Sequence, residues 1–330
     1  MKRGLIVTTP PTLRKTALIT GASAGIGRDY ARYLAAEGYD LILTARRKAR
    51  LEKVASELTG AFGTQVTVMT ADLTDPTAPA KLAAQISKGG LQVDYLVNNA
   101  GYQVTGFFDR VRWDVQRDMM QVMMTAVAEL CHIFGPEMAA RGFGRIVNIA
   151  SVAAFVPGQA GGALYPSVKA FVLRLSQSLA TEYHPAGVHV VAVCPGFTWS
   201  KFHDVAGNRA QMNKLPSFMW LDGPRVVSDA HNAVEAGRGP VVVSSWVYKV
   251  LVTLLQIIPD NWVGRLAARG TRNAEVRAEY ARAEPVSPAP KKPAKKSSGK
   301  ASGTAKTPAR KTTKRGTKTA KRTGKQADNG

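Results

Sequence analysis

From Thr16 onward, apolar runs of three to six residues alternate with stretches of helical periodicity, and this alternation leaves few architectures open. Strands are predicted at Thr16–Thr20, Leu41–Ala45, Val66–Thr70, Tyr95–Asn98, Ile146–Ala150, His189–Cys194 and Val241–Val243. Helices are predicted between them near Arg28–Glu37, Lys48–Leu58, Pro79–Ile86, Val111–Met138, Tyr165–Tyr183 and Val226–Ala236. Strands this uniformly apolar need cover on both faces, and helical crossovers make neighbouring strands parallel. The expected fold is therefore α/β and doubly wound, a seven-stranded parallel sheet with helices on both faces. Ligands of such sheets bind beyond the carboxyl ends of the strands, so the turns leaving the strands are where chemistry is sought.

Composition divides the chain in two. Of the net charge of +22 on 330 residues, residues 285–330 carry +13, from 14 Lys and Arg against one acidic residue. That stretch is rich in Lys, Ala, Thr, Ser, Gly and Pro and holds no aromatic residue. It cannot bury enough apolar surface to offset its ordering entropy and is expected to be disordered. Residues 16–270 are read as the folded domain, 1–15 as an N-terminal extension and 271–284 as a linker. Two cysteines, Cys131 and Cys194, both in apolar runs, argue against a disulfide framework and for a reducing compartment. The opening MKRGLIVTTPPTLRK lacks the apolar core and cleavage site of a signal peptide, so a cytoplasmic location is expected. The late apolar segment VVVSSWVYKVLVTLLQII is interrupted by Ser244, Ser245, Lys249, Thr253 and Gln256. It reads as a strand followed by a buried or subunit-contact helix, not as a membrane span, with docking to a membrane surface as the minor alternative.

Two of the turns carry chemistry. In ALITGASAGIG, Ala17–Gly27, a strand ends and a helix opens. Gly21, Gly25 and Gly27 allow a tight turn and close backbone approach to a pyrophosphate, whose charge the helix N-terminus favours. The second strand ends in LTARRK, and Arg46 (with Arg47 beside it) stands where a dinucleotide lacking a 2′-phosphate would meet an acidic residue. A cation there favours NADP(H) over NAD(H). Tyr165 and Lys169 lie four residues apart at a helix start, which puts phenol and ammonium on one helix face. Alone, such a pair is commonplace. The five histidines show no metal-ligand spacing, and no metal site is expected.

Taken together, Gly21–Gly27, Asp72 in ADL, NNAG at Asn98–Gly101, Ser151 in VNIAS, Tyr165-x-x-x-Lys169 and CPG at Cys194–Gly196 resemble the short-chain dehydrogenase/reductase family in order, from about Thr16 to Val243. The resemblance implies a Rossmann fold and a nicotinamide cofactor. It implies cofactor contacts from Gly21, Ser23, Gly25, Ile26, Gly27, Arg46, Asp72, Leu73, Asn99, Ala100, Gly101, Tyr165, Lys169, Pro195 and Gly196. It also implies hydride exchange between C4 of the nicotinamide and a carbonyl or alcohol substrate. Tyr165 would be the acid/base, Lys169 would lower its pKa and bind the nicotinamide ribose, and Ser151 would hold the substrate oxygen. A free phenol titrates near ~10 and needs a nearby cation to exchange protons efficiently at neutral pH. A homo-oligomer built on the helices of Val111–Met138 and Tyr165–Tyr183 is implied as well.

This sequence departs from the family pattern in three places. Met123 stands where the family commonly has a catalytic Asn that helps hold a water linking the lysine to solvent. A thioether cannot do that, and this motivates an alternative reading: a cofactor-binding protein of low catalytic activity tethered to a polyanion. The interval of 14 residues from Ser151 to Tyr165 is one longer than usual, which implies a loop adjustment in GQAGGAL. Pro166 disfavours helical geometry at Tyr165, although a first turn tolerates proline. Ser200 aligns with a threonine that often touches the cofactor carboxamide. Residues 201–222, with Phe202, Met212, Phe218, Met219 and Trp220, fall where the family places its substrate lid, and fit either a bulky lipophilic substrate or ordinary packing. The basic tail resembles those of histone-like proteins. It suits sequence-independent contact with nucleic acid or another polyanion, an anionic membrane surface included, or serves as a solubilising extension.

Overall fold

The computed structural model describes residues 14–156, 163–199 and 216–258, together with Trp262, Ala278, Ala281 and Arg282. The expected tail at 285–330, Ser200, residues 201–215 and most of the GQAGGAL loop lie outside the described residues. Seven parallel strands form one sheet: β1 (Thr16–Thr20), β2 (Asp40–Ala45), β3 (Val66–Thr70), β4 (Tyr95–Asn98), β5 (Gly144–Ile149), β6 (Val188–Val193) and β7 (Val241–Val242). Their order is β3-β2-β1-β4-β5-β6-β7. The helices are α1 (Gly25–Ala36), α2 (Lys48–Phe62), α3 (Ala78–Lys88), α4 (Trp113–Met120), α5 (Ala126–Ala140), α6 (Leu164–Tyr183), α7 (Gly223–Glu235) and α8 (Trp246–Ile257).

Side chains alternate across the sheet and so supply two separate cores. On one face Ile19, Leu41, Val97, Val147 and Val191 pack with Tyr30 and Leu34 of α1, Leu51 of α2 and Val226 and Val234 of α7. On the other, Leu18, Ile42, Leu96, Ile146 and Val190 pack with Leu82 of α3, Leu130 and Phe134 of α5 and Leu175 of α6. β1 pairs with both β2 and β4, so the chain winds outward in opposite directions from the β1–β4 gap. That gap is the switch point at which the crossing loops leave a crevice.

Two features of the helices differ from the sequence expectation. The predicted single helix over Val111–Met138 is broken in register: Gln121–Thr125 form a π turn between α4 and α5. One extra residue per turn there rotates Val122 and Met123 inward, and both are buried. Of the two readings of the late segment, a buried or a subunit-contact helix, burial is not what forms: α8 buries only Tyr248 and Val252. Pro166, an apparent obstacle, falls in the first turn of α6, because that helix begins at Leu164, where a missing N–H breaks no intrahelical bond.

A buried polar chain ties the middle of the sheet to the helix that carries Tyr165 and Lys169. Asn98 Nδ2 donates to Asn148 Oδ1 at 2.8 Å, and Asn148 Nδ2 donates to Ser176 Oγ at 2.9 Å. Ser176 in turn donates to the Val172 carbonyl at 2.7 Å. β4, β5 and α6 are thereby linked through a side chain with no solvent access. Asn148→Ala leaves the Asn98 amide and the Ser176 hydroxyl without these partners and opens a void. Urea unfolding of this variant is expected to show a loss of about 2–5 kcal/mol. A loss below about 0.5 kcal/mol would mean the chain of bonds is replaceable.

Candidate functional site

A cavity of about 610 Å³ opens at the carboxyl ends of β1, β2, β4, β5 and β6. Its first wall is the turn from β1 to α1, where Gly21 (φ +67°) and Gly25 (φ +55°) occupy the left-handed region that favours glycine. Ser23, Ala24, Gly25 and Ile26 line the cavity at the N-terminus of α1. That terminus has no side-chain cap and no acidic residue in its first turn. Its N–H groups therefore lack local acceptors, a donor set suited to a pyrophosphate. Gly27, expected among the cofactor contacts, does not line the cavity. It lies behind the wall, buried, where a Cβ would collide with the Asn99 side-chain amide and come within 2.6 Å of the Gly21 carbonyl. Its role is to let α1 pass close under the turn.

Thr20 joins this turn to the next one. Its hydroxyl donates to the Val97 carbonyl at 3.2 Å and accepts from the backbone N–H groups of Asn99 and Ala100 at 2.9 and 3.0 Å. Asn99 Nδ2 returns a bond to the Thr20 carbonyl at 3.0 Å. Asn99, Ala100 and Gly101 are thus held as the cavity floor at the switch point. Arg46 and Arg47 stand exposed at the end of β2, and among the described residues no ion pair engages either guanidinium. Asp72 and Leu73 line the cavity beyond β3. The Asp72 carboxylate accepts from the Thr74 N–H at 3.1 Å and its hydroxyl at 2.9 Å, which sets the turn. The dinucleotide expected from the sequence fits these residues: backbone donors for a pyrophosphate, cations without an ion-pair partner among the described residues at the β2 end, and a floor of small residues and the Asn99 amide.

Ser151, Tyr165 and Lys169 converge on the same cavity, which Pro195 and Gly196 also line. Ser151 leaves the end of β5 and caps a short 3₁₀ turn, its Oγ accepting the Ala153 N–H at 3.1 Å. The Ser151 hydroxyl is hydrogen-bonded to the Tyr165 phenol, which lowers the phenol's pKa, but burial outweighs this and pushes it up to about 12. Burial likewise brings Lys169 down to about 8. Lys169 Nζ lies 5.8 Å from the Tyr165 ring centroid and donates to the Ile149 carbonyl at 2.7 Å. One of the ammonium's three N–H bonds goes to a backbone oxygen, and desolvation is the largest influence on the phenol.

Met123 is buried beneath the floor. A Cβ on Gly101 would lie 3.3 Å from its Sδ, so glycine is what allows that sulfur to pack under the NNAG turn. Val122, its neighbour in the π turn, faces the cavity instead. Sequence motifs missed Tyr102, Gln103, Val152, Tyr248 and Leu251, which also line it. Tyr248 is the most consequential. Its hydroxyl accepts the Phe197 N–H at 3.1 Å and donates to the Met219 carbonyl at 2.6 Å, and its ring covers Gly196. No motif marks it, since it comes from a helix far along the chain.

Comparison with known proteins agrees with this geometry. Residues 15–209 match the family model for short chain dehydrogenases. Oxidoreductase UcpA of Escherichia coli (strain K12) is 38% identical over 183 residues, covering 56% of this chain and 69% of UcpA. A short-chain dehydrogenase from Sphingobium yanoikuyae, solved in complex with NADPH, is 33% identical with a TM-score of 0.65 over 74% of this chain and 96% of that one. A bulky-bulky ketone specific alcohol dehydrogenase from Comamonas testosteroni is 31% identical, with a TM-score of 0.62 over 75% of this chain and 96% of its own. With its parallel sheet, glycine turn and matched sequence, this chain belongs to the short-chain dehydrogenase family of oxidoreductases, which act on CH–OH groups with a nicotinamide cofactor.

Proposed function

We propose that the protein is an NADP(H)-dependent oxidoreductase that reduces a lipophilic carbonyl compound, or oxidises the matching alcohol, with Ser151, Tyr165 and Lys169 as its catalytic residues. One observation carries the reading: the Ser151–Tyr165 hydrogen bond and Lys169 share a cavity with the uncapped α1 N-terminus and with Arg46, which has no ion-pair partner among the described residues. The cofactor, when bound, supplies or receives the hydride at C4 of its nicotinamide ring. The protein must then hold the substrate oxygen and move one proton at it.

Ser151 Oγ and the Tyr165 hydroxyl are the two donors for that oxygen. A phenol held up to about 12 keeps its proton at neutral pH, so Tyr165 meets a carbonyl substrate in its protonated, hydrogen-bond-donating form. Lys169 sits on the same face of α6, one turn from Tyr165, and its protonated form stabilises the negative charge on the phenolate left behind. Arg46 would pair with a 2′-phosphate, which gives NADP(H) its preference over NAD(H). The Val122, Val152, Phe197, Met219 and Leu251 side of the cavity is apolar and suits a bulky substrate. The Comamonas relative, named for bulky-bulky ketones, is consistent with that choice.

A second reading is favoured by Met123 alone: a protein that binds the cofactor but turns over slowly. Lys169 already donates to the Ile149 carbonyl, and the residue at the relay position is a thioether packed under Gly101. Met123→Asn separates the readings. A gain in kcat of about tenfold or more means that proton supply limits the natural site. An unchanged kcat places the relay elsewhere.

Tyr165→Phe is expected to lower kcat for carbonyl reduction by about 10²–10⁴-fold while NADPH binding, followed by fluorescence, stays within about threefold. Unchanged turnover across a panel of lipophilic ketones and aldehydes would overturn the assignment. Arg46→Ala should weaken NADPH binding by about 10–100-fold and leave NADH binding nearly as it was, since only the 2′-phosphate loses a charge-assisted partner. Lys169 also predicts a pH signature. Its folded pKa of about 8 lies below the ordinary 10.5, so between these values the unfolded chain binds the extra proton and stability rises with pH. Compared with Lys169→Met, the native protein should gain up to about 3 kcal/mol from pH 8 to pH 10.5 in urea unfolding. A pH-independent difference would place the ammonium in solvent.

A further inference from the structure

Helix α8 turns an apolar face outward. Trp246, Val250, Leu254 and Ile257 lie along one side of it, 73%, 51%, 51% and 72% exposed. Leu251 and Ile258 widen the ridge, and Trp262 just beyond the helix is also exposed. The opposite side, Tyr248 and Val252, holds the helix to the body. Between the two sides runs a narrow polar strip of Lys249, Thr253 and Gln256. A helix on a protein surface ordinarily turns polar residues to water, so a ridge of this kind marks a docking face. The helix is also set at a defined angle. Ser245, its first flanking residue, is the one described non-glycine residue with a left-handed backbone (φ 88°).

Charge decides between occupants. Lys249 is the only ionisable side chain with a full charge at neutral pH in Trp246–Ile258, and the chain carries +22 overall, +13 of it in residues 285–330. A second copy would bring the same positive charge to the contact, whereas an anionic lipid surface complements it. Area points the same way. Twelve residues make a face roughly 18 Å by 10 Å, well short of the ~800 Å² per partner typical of a stable protein interface. A bilayer needs no matching shape, and tryptophan favours its interfacial zone. No helix among the described residues is long and apolar enough to cross a membrane, so α8 would lie on the surface.

The ridge adjoins the mouth of the cavity. Leu251 and Tyr248 belong to both α8 and the cavity lining. Through its hydroxyl, Tyr248 anchors the backbone at Phe197 and Met219, whose neighbours Trp199 and Phe218 are exposed by 51% and 65%. We propose that α8 docks on an anionic bilayer, ridge inward, with the basic residues 285–330 as a second, electrostatic attachment. A buried apolar face plus a polybasic segment is the two-signal arrangement that makes surface attachment stable. Docking in this way brings the cavity mouth to the lipid interface, so its substrate would be drawn from the bilayer. That last clause rests on the proposed oxidoreductase activity, whereas the docking does not.

The test is sedimentation of the full chain with vesicles of phosphatidylcholine alone, or with about one phosphatidylglycerol in three, at about 0.15 M salt. Binding to the anionic vesicles is expected, and Val250→Glu/Leu254→Glu should weaken it by about tenfold or more. Both positions are exposed and outside the cavity lining, so the thermal unfolding midpoint should not move. Binding unchanged in the double variant would overturn the proposal, because the basic segment alone would then suffice. So would a native protein that ignores both vesicles, above all if it sediments as a dimer that the double variant dissociates, which would make a second copy the occupant. No readout uses turnover, so failure of docking and failure of the reductase assay are separate results.

Discussion

The pairing of β1 with β2 on one side and β4 on the other is the constraint from which the site follows. Parallel strands cannot be joined by tight turns, so each connection crosses over the sheet and all the strand ends of one sense lie together. At the β1–β4 gap the crossovers depart to opposite sides, and the space between them cannot be filled by either. Thr20 bridges that gap with one hydroxyl, donating to one strand and accepting from the turn that follows it. The glycine turn, the NNAG floor and the β5 end bearing Ser151 therefore face a common crevice.

Within the crevice, burial and hydrogen bonding act against each other on the same groups. Desolvation raises the phenol of Tyr165 and lowers the ammonium of Lys169, so both neutral forms are favoured. The Ser151 hydroxyl partly offsets this at the phenol, and Cys194 partly offsets it at the ammonium. An enclosed apolar setting thus makes proton transfer depend on the contacts a substrate and cofactor bring. It also leaves a thioether at residue 123 in a position where it can pack but cannot relay.

Much of this was legible in the sequence because it depends on local pattern. Six of the strands fall within two residues of their expected limits at each end, and the seventh, β7, is one residue shorter. The turn glycines, Arg46, Asp72, Asn99 and the Ser151–Tyr165–Lys169 set all reach the cavity, with Gly27 the exception. Gly27 stands apart because a glycine needed for close packing and one needed at a ligand look the same in sequence. The π turn at Gln121–Thr125 left no signal, since a single extra residue in a helix hardly disturbs apolar periodicity over a few turns. Tyr248 was invisible for a different reason: its partners Phe197 and Met219 are 51 and 29 residues away.

Residue order alone sets the alternation of strands and helices, the identity of the glycine turn and the family to which the chain belongs. Each of these rests on residue type and spacing along a few turns of chain. Contacts between distant segments, by contrast, decide that Lys169 donates a hydrogen bond to the Ile149 carbonyl, that Met123 packs under Gly101, and that α8 presents an apolar ridge beside the cavity. Apolar content says that a helix can be buried. Which of its faces meets the body depends on the neighbouring surfaces, and here the body covers Tyr248 and Val252 while leaving Trp246, Val250, Leu254 and Ile257 to a different environment.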